Sequence, residues 1–368
     1  MINLGNTGTP FIIKELRIKQ NTFLNDYYQC DIIPFPENGP PASSVSFKMK
    51  QSLKAAIGEH LERTSVYVHN KRFKKQVVMG IDMVTKEEVP VPLQRLLLNW
   101  GLPIFSEVDL NGLVNDTCGL ASHTSSFHSI KSAFLEFFER QCLLYNWFTC
   151  SPGTRINMEC LLEDDEIKNL LRMAHFHVKE IHFFDISKSE DIKVIISIAL
   201  GAETKGVGLC ADWDYKSAII GSVKELFQYI TFKQRVRNEE IGDNADLTDP
   251  LYYSKHFMTK VNQQTLRKDF NHLLSCSKST HIDTSHCTNI TENEFNFILN
   301  RVSSEHNIDL ILCYIPALYK GLNTKIVKIL TTKGFHHMYA PKIDPHQVPF
   351  LQSHEGQYFN IGKMIPFG

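Results

Sequence analysis

Residues 129–140 read SIKSAFLEFFER, and an earlier segment, 52–63, reads SLKAAIGEHLER. The two superpose without a gap and match at Ser, Lys, Ala, both Glu and Arg. A degenerate third copy within SAIIGSVKELFQ (217–228) puts Glu225 in register with Glu136 and Gln228 with Glu139. Self-similarity of this kind predicts one structural unit used repeatedly around a common core. On a 3.6-residue period, Ile130, Ala133, Phe134, Phe137 and Phe138 cover one sector, while Ser132, Glu136 and Glu139 lie on another. The first copy divides in the same way, with Leu53, Ala56, Ile57 and Leu61 against Glu59 and Glu62.

Carboxylates at i and i+3 lie about one helical turn apart, near enough to share a cation. The plain alternative is a solvated face with an i,i+4 link from Glu136 to Arg140, worth about 0.3–0.5 kcal/mol. Against it stand the nearly all-round apolarity of 129–148 and the recurrence of the carboxylates. Left unpaired, such groups repel one another and resist desolvation. Facing helices of this design would form an oxygen-rich pocket suited to Mg²⁺ and, with it, phosphates.

The whole chain bounds the answer. Its 368 residues are enough for one large domain or two modest ones, at roughly 150 residues each. A net charge of −1 gives no global attraction to polyanions. Nine scattered cysteines without a CxxC pair argue for a reducing compartment, so the expected location is cytoplasmic. The N-terminus lacks a signal-peptide core and no run reaches the length of a spanning helix.

IIPFPENGPPASS (32–44) reads as an irregular lead-in. The expected organisation is therefore an N-terminal segment, 1–44, followed by one domain, 45–368. Strands are predicted in IHFFDIS (181–187), KVIISIAL (193–200) and IDLILCYI (308–315). With helices between them, the fold class is α/β or α+β. NEEIGDNADLTDP (238–250) and SCSKSTHIDTSHCTNITEN (275–293) read as polar excursions.

No Walker, Rossmann or kinase signature is present, so a bound nucleotide would be held by side chains and metal. The chain resembles the YcaO family. GEHLER (58–63), DTCGLASHTSSFHSIKSAFLEFFERQ (116–141) and the ELFQ of 225–228 carry the resemblance over roughly residues 45–368. Within the family, DTCG, EFFERQ followed by LLYNW, and the terminal KMIPFG resemble the cyclodehydratase subunit of microcin B-type synthetases.

The resemblance implies an α+β fold of YcaO type, a single large domain with internal pseudo-repeats. It implies ATP and Mg²⁺ as cofactors, and conversion of Cys, Ser or Thr of a ribosomal precursor peptide to thiazoline or oxazoline by phosphorylation of the amide oxygen. Carried over by position, Glu59, Glu62, Glu136 and Glu139 are the metal ligands, and Arg63 and Arg140 meet phosphate or orient those carboxylates. Glu225 and Gln228 complete the nucleotide site, with Ser52, Lys54, His128 and Lys131 as further candidates. His128 and Lys131 stand where many relatives have an acidic or amide residue. The implied partners are a precursor peptide with its leader, a ubiquitin-activating-enzyme-like leader-binding subunit and an FMN-dependent azoline dehydrogenase. Alternatives are another YcaO backbone modification, thioamide or amidine formation, and a noncatalytic nucleotide-binding scaffold.

Other clusters read more plainly. His336, His337 and His346 near Asp344 fit no zinc spacing. Cys118 reads as a buried thiol, and Tyr145, Trp147 and Phe148 extend an apolar helix face.

Overall fold

The structure, a computed structural model, describes residues 2–3, 10–11, 13–20, 27–35, 39–72, 77–98, 115–201, 204–236, 252–285, 287–319 and 323–367. Its first elements are β1 (Ile2–Asn3), β2 (Pro10–Phe11), β3 (Glu15–Gln20), β4 (Tyr28–Ile33), β5 (Ala42–Ser46) and α1 (Met49–Arg72). Then come β6 (Val77–Asp82), β7 (Glu88–Pro92), β8 (Leu120–His123), α2 (Ser126–Thr149), β9 (Thr154–Ile156), α3 (Met158–Leu161) and α4 (Asp165–His175). The middle of the chain holds β10 (Glu180–Asp185), β11 (Lys193–Leu200), β12 (Lys205–Asp212), α5 (Tyr215–Val236), α6 (Tyr252–Thr259), α7 (Gln263–Asp269) and α8 (Asn271–Leu274). It closes with β13 (Ser279–Thr280), α9 (Glu292–His306), β14 (Ile311–Ile315) and β15 (Lys325–Leu330). The mixture is the expected α+β, and the three strands read from sequence are present, β11 with the expected bounds and β10 and β14 shifted or shortened at their ends. The acidic stretch 238–250 lies outside the described residues.

The chain divides into two compact units, residues 1–137 with 295–338 and residues 138–294 with 339–368, and α2 runs from the first into the second. In the first unit, β3, β4 and β5 form an antiparallel sheet, with Arg17 opposite Asp31 and Asp31 opposite Ser43. The stretch 32–44, read as an irregular lead-in, is corrected at its two ends, which lie in β4 and β5. Cys30, Ile32 and Ala42 of this sheet pack with Ala56 and Leu61 of α1, so the sheet gains its apolar partner from the first repeat. A second sheet, in the order β7-β6-β14-β15-β8, is antiparallel throughout. Its core gathers Val91, Leu120, Ile311, Ile315, Ile326 and Leu330 with Leu96 and Leu98.

The second unit is built on the sheet β12-β11-β10-β9-β13, antiparallel except for the β9–β13 pair. Val194–Leu200 of β11 are all buried, which explains a strand of near-continuous aliphatic residues. Its one hydroxyl, on Ser197, donates to the carbonyls of Gly208 (3.3 Å) and Ser222 (3.2 Å). Helix α5 lies so close to β12 that a Cβ at Gly208 would stand 1.8 Å from the Ser222 carbonyl oxygen. Only glycine permits that approach.

The repeat seen in sequence is a strand-to-helix unit. In each copy two residues separate strand from helix, as β5 gives way to α1, β8 to α2 and β12 to α5. At the same helical level each copy buries a small residue completely, Ala56, Ala133 and Ser222, and one turn earlier Ser52, Ser129 and Ala218. Small side chains let the helix approach its sheet. Phe134, Phe137, Phe138, Trp147 and Phe148 then fill the α2 core, each contributing about 1.5–3 kcal/mol of burial.

Candidate functional site

Four of the repeated glutamates, Glu59, Glu62, Glu139 and Glu225, share one kind of partner, the backbone amide of a terminal strand. Glu59 Oε2 accepts from Ser43 N–H of β5 at 2.7 Å, and Glu225 Oε2 accepts from Leu209 N–H of β12 at 3.0 Å. Glu62 Oε1 accepts from Ser122 N–H of β8 at 2.5 Å, and Glu139 Oε2 accepts from Ala211 N–H of β12 at 2.9 Å. Strands β5, β8 and β12 each end their sheets. Thus the first glutamate of α1 and of α5 binds the strand preceding its own helix, and the second glutamate of α1 and of α2 binds the strand of the next copy. The sequence held no direct sign of these partners, since a backbone amide has no side-chain signature.

In the first unit Glu136 and Glu59 both act on Glu62 as like charges. Burial, reinforced by Glu136 and Glu59 and opposed by the Ser122 hydrogen bonds, pushes the Glu62 carboxyl up to about 8. The residue keeps some surface while its carboxyl end is enclosed. Arg63 extends one guanidinium nitrogen to Glu59 Oε1 at 2.6 Å and another to the Pro41 carbonyl. The i,i+4 ion pair considered for this motif is therefore present in α1. In α2, Arg140 reaches its neighbour Glu139, with Nε 3.3 Å from Oε1.

In the second unit Glu139, only 7% exposed, and Glu225 share the β12 segment Leu209–Ala211. Burial raises the intervening Cys210 thiol, and Glu139 and Asp212 reinforce that shift. Arg140 also lies over the Phe367 ring, 5.5 Å from its centroid. The tail that carries Phe367 caps the end of α2, with Phe359 N–H donating to the Phe148 carbonyl (2.7 Å) and Asn360 Nδ2 to that of Trp147 (3.0 Å).

The remaining candidates fall into distinct places. His123 and His128 stack at 4.9 Å, and burial, with His128 and Lys54, lowers His123. Lys54 is exposed, and Lys131 lies over Phe127. Ser52 is fully buried and its hydroxyl donates to the Ser44 carbonyl, locking α1 to β5. The Gln228 side chain lies outside the described residues. His336 and His337 lie in the irregular segment after β15, and burial lowers both.

Among the described residues no three His, Cys, Asp or Glu side chains form a ready metal cage, and no helix is long and apolar enough to cross a membrane. Mg²⁺ does not require such a cage, because it is commonly held by one or two carboxylates together with phosphate oxygens and water. A hard oxygen donor pressed by like charges, as Glu62 is by Glu136 and Glu59, suits that cation.

Residues 68–318 match the family described as YcaO cyclodehydratase, ATP- and Mg²⁺-binding. Among solved structures the chain is similar to a chain of the E. coli microcin synthetase McbBCD complex, at 19% identity over 100% of both chains with a TM-score of 0.73. The same complex with pro-MccB17 bound gives a TM-score of 0.74 at 19% identity, again over both whole chains. YcaO from Methanopyrus kandleri, bound with AMPPCP and Mg²⁺, gives 0.70 at 16% identity over 92% of this chain and 89% of that one. These likenesses show a shared fold. No curated protein matches the sequence.

Proposed function

The chain belongs to the YcaO family of ATP- and Mg²⁺-binding proteins, and from that premise we propose that it is a peptide cyclodehydratase. Its substrate would be a ribosomal precursor peptide whose Cys, Ser or Thr residues it closes into thiazolines or oxazolines. The observation that carries the reading is the glutamate group of the first unit, in which Glu62 is held at about 8 by burial and by Glu136 and Glu59. A divalent cation relieves that repulsion.

In this reading Glu59, Glu62, Glu136 and Glu139 hold Mg²⁺, and Glu225 and Gln228 serve the nucleotide. Arg63 and Arg140 orient carboxylates or meet phosphate through their planar, multi-donor ends. When bound, Mg·ATP supplies the phosphoryl group that converts the amide oxygen of the substrate into a leaving group. The protein positions and neutralises charge, which is most of what phosphoryl transfer requires. Strand amides fix one oxygen each of Glu59, Glu62, Glu139 and Glu225, so these carboxylates are oriented before any ligand arrives. The substrate thiol or hydroxyl adds to the preceding carbonyl carbon, and loss of phosphate from that carbon leaves the ring.

Fold likeness to the McbBCD complex and its pro-MccB17-bound form supports a heteromeric assembly acting on a leader-bearing peptide. The proposed partners are a leader-binding subunit and an FMN-dependent dehydrogenase for azoline oxidation. The test combines the purified chain, these subunits, the precursor and Mg·ATP, with mass spectrometry reading the loss of one water per ring. Glu136→Gln is expected to abolish that loss while preserving the circular dichroism spectrum. Ring formation at the wild-type rate in Glu136→Gln would overturn the assignment.

A further inference from the structure

A carboxylate is kept in a protein interior only where hydrogen bonds replace the hydration it gives up. Asp31 lies in β4, the middle strand of the β3-β4-β5 sheet, with 4% of its surface exposed, and Gln29, two residues earlier and on the same face, has 7%. The opposite face carries Cys30, Ile32 and Ala42, which pack with α1. Burial of apolar surface is thus the work of that other face, and Asp31 is engaged differently.

Asp31 Oδ1 accepts from the Ser43 hydroxyl at 2.7 Å and from Gln29 Nε2 at 3.1 Å, and the same Gln29 nitrogen lies 3.2 Å from Ser43 Oγ. The three side chains close a triangle. Asp31 stands directly opposite Ser43 in the ladder. Because the Ser43 amide is turned to Glu59, the pair is of the non-hydrogen-bonded kind, in which facing side chains come closest. Ser43 is therefore held twice: its hydroxyl is bound to Asp31 in β4, and its N–H fixes Glu59 Oε2 at 2.7 Å. Two residues earlier, the Pro41 carbonyl accepts from Arg63, whose other nitrogen reaches Glu59 Oε1 at 2.6 Å. Both oxygens of Glu59 are referred to one short segment, 41–43, and Asp31 anchors that segment to the sheet.

We propose that Asp31, assisted by Gln29, is a positioning residue for Glu59 that acts through Ser43. It fixes the segment presenting the Ser43 amide and the Pro41 carbonyl, and so fixes where the Glu59 carboxylate stands when a metal arrives. The inference rests on the assignment of Glu59 to Mg²⁺, and it makes the β3-β4-β5 sheet a working part of that site. The lever is a hydrogen bond, so an amide at position 31 serves where a methyl group does not.

The test uses Asp31→Ala, which removes the acceptor, Asp31→Asn, which keeps one for the Ser43 hydroxyl, and Ser43→Ala, which removes the hydroxyl and leaves the amide. Mn²⁺ alone is titrated by electron paramagnetic resonance of the free ion, on variants whose circular dichroism matches the wild type. Asp31→Ala and Ser43→Ala are each expected to bind Mn²⁺ roughly tenfold more weakly, their double variant no more weakly than Asp31→Ala, and Asp31→Asn within about twofold of the wild type. A residue that served only the folding of the sheet would lower the melting temperature and leave the Mn²⁺ affinity of the folded protein unmoved. Unchanged affinity in Asp31→Ala or Ser43→Ala, losses that add in the double variant, or an Asp31→Asn as weak as Asp31→Ala overturns the proposal. Should Asp31→Ala not fold, Ser43→Ala and Asp31→Asn decide by the same titration. A wild type that binds no Mn²⁺, or a Glu59→Gln that binds it equally well, overturns the metal assignment and this inference with it. Binding weakened in Glu59→Gln but unmoved in Asp31→Ala and Ser43→Ala overturns the inference alone.

Discussion

Replacing Glu62 by Gln should stabilise the metal-free protein at alkaline pH. The Glu62 carboxyl is held at about 8 against an ordinary 4.5, chiefly by burial. A folded-state value above the unfolded one means that the native chain binds the extra proton between those two limits. The associated stability is whole below about 4.5 and is lost as pH rises through about 8. At about 1.4 kcal/mol per pH unit, the wild type should lose roughly 3–4 kcal/mol between pH 5 and pH 8 from this group. Glutamine keeps an acceptor for Ser122 N–H and carries no charge, so the variant lacks that loss. Urea denaturation in EDTA, followed by tryptophan fluorescence at both pH values, measures the difference. Saturating Mg²⁺ at pH 8 should restore the wild type and leave Glu62→Gln unchanged, because a ligand that binds only the native state stabilises it. Equal pH slopes for the two proteins in EDTA would refute the reasoning.

Gly208→Ala should cost more than 3 kcal/mol in the same denaturation experiment, since its Cβ would stand 1.8 Å from the Ser222 carbonyl oxygen and force α5 off β12. A change below 1 kcal/mol would mean that the helix yields easily. Glu139→Ala should destabilise by about 1–3 kcal/mol, leaving the buried Ala211 N–H without its carboxylate, whereas Glu139→Gln should lose much less. Thermal melts of the two variants side by side decide this, and equal losses would count against the amide's role.

The ExxER helices were legible because two independent signals coincide in them, the 3.6-residue apolar period and gapless self-similarity, and the register of Glu225 followed from the second alone. Their acceptor roles were not legible, because Ser43, Ser122, Leu209 and Ala211 contribute main-chain N–H groups that any residue supplies. Strands β3 and β4 were obscured by the prolines and glycine of 34–41, although Cys30 and Ile32 alternate inward beside Gln29 and Asp31. Those two polar residues are buried as well, satisfied by each other and by Ser43, so the alternation was not a clean one. Lys328 was obscured for a related reason: in KIVKIL a lysine reads as the solvent-facing residue of a strand, whereas in the fold it is buried, on a strand flanked by β8 and β14.

The question of why these helices carry carboxylates inward has a structural answer that precedes any ligand. A terminal strand leaves alternate N–H groups without a ladder partner, and a buried unpaired amide costs about 1–3 kcal/mol. A helix laid along that edge can serve those amides only with a side-chain acceptor one turn or less from its apolar face. Glutamate at the first and second ExxE positions meets that need, the first reaching the preceding strand in α1 and α5 and the second reaching the next copy in α1 and α2. Glutamine would satisfy the same hydrogen bond at lower desolvation cost, so edge pairing alone does not explain ionisable groups. The choice of Glu at 59, 62, 136 and 139, with Glu62 pushed up to about 8 by burial and further by Glu136 and Glu59, is a destabilisation that the strand edges do not require. A cation removes it, and the proposed function is the one in which that cation is always at hand.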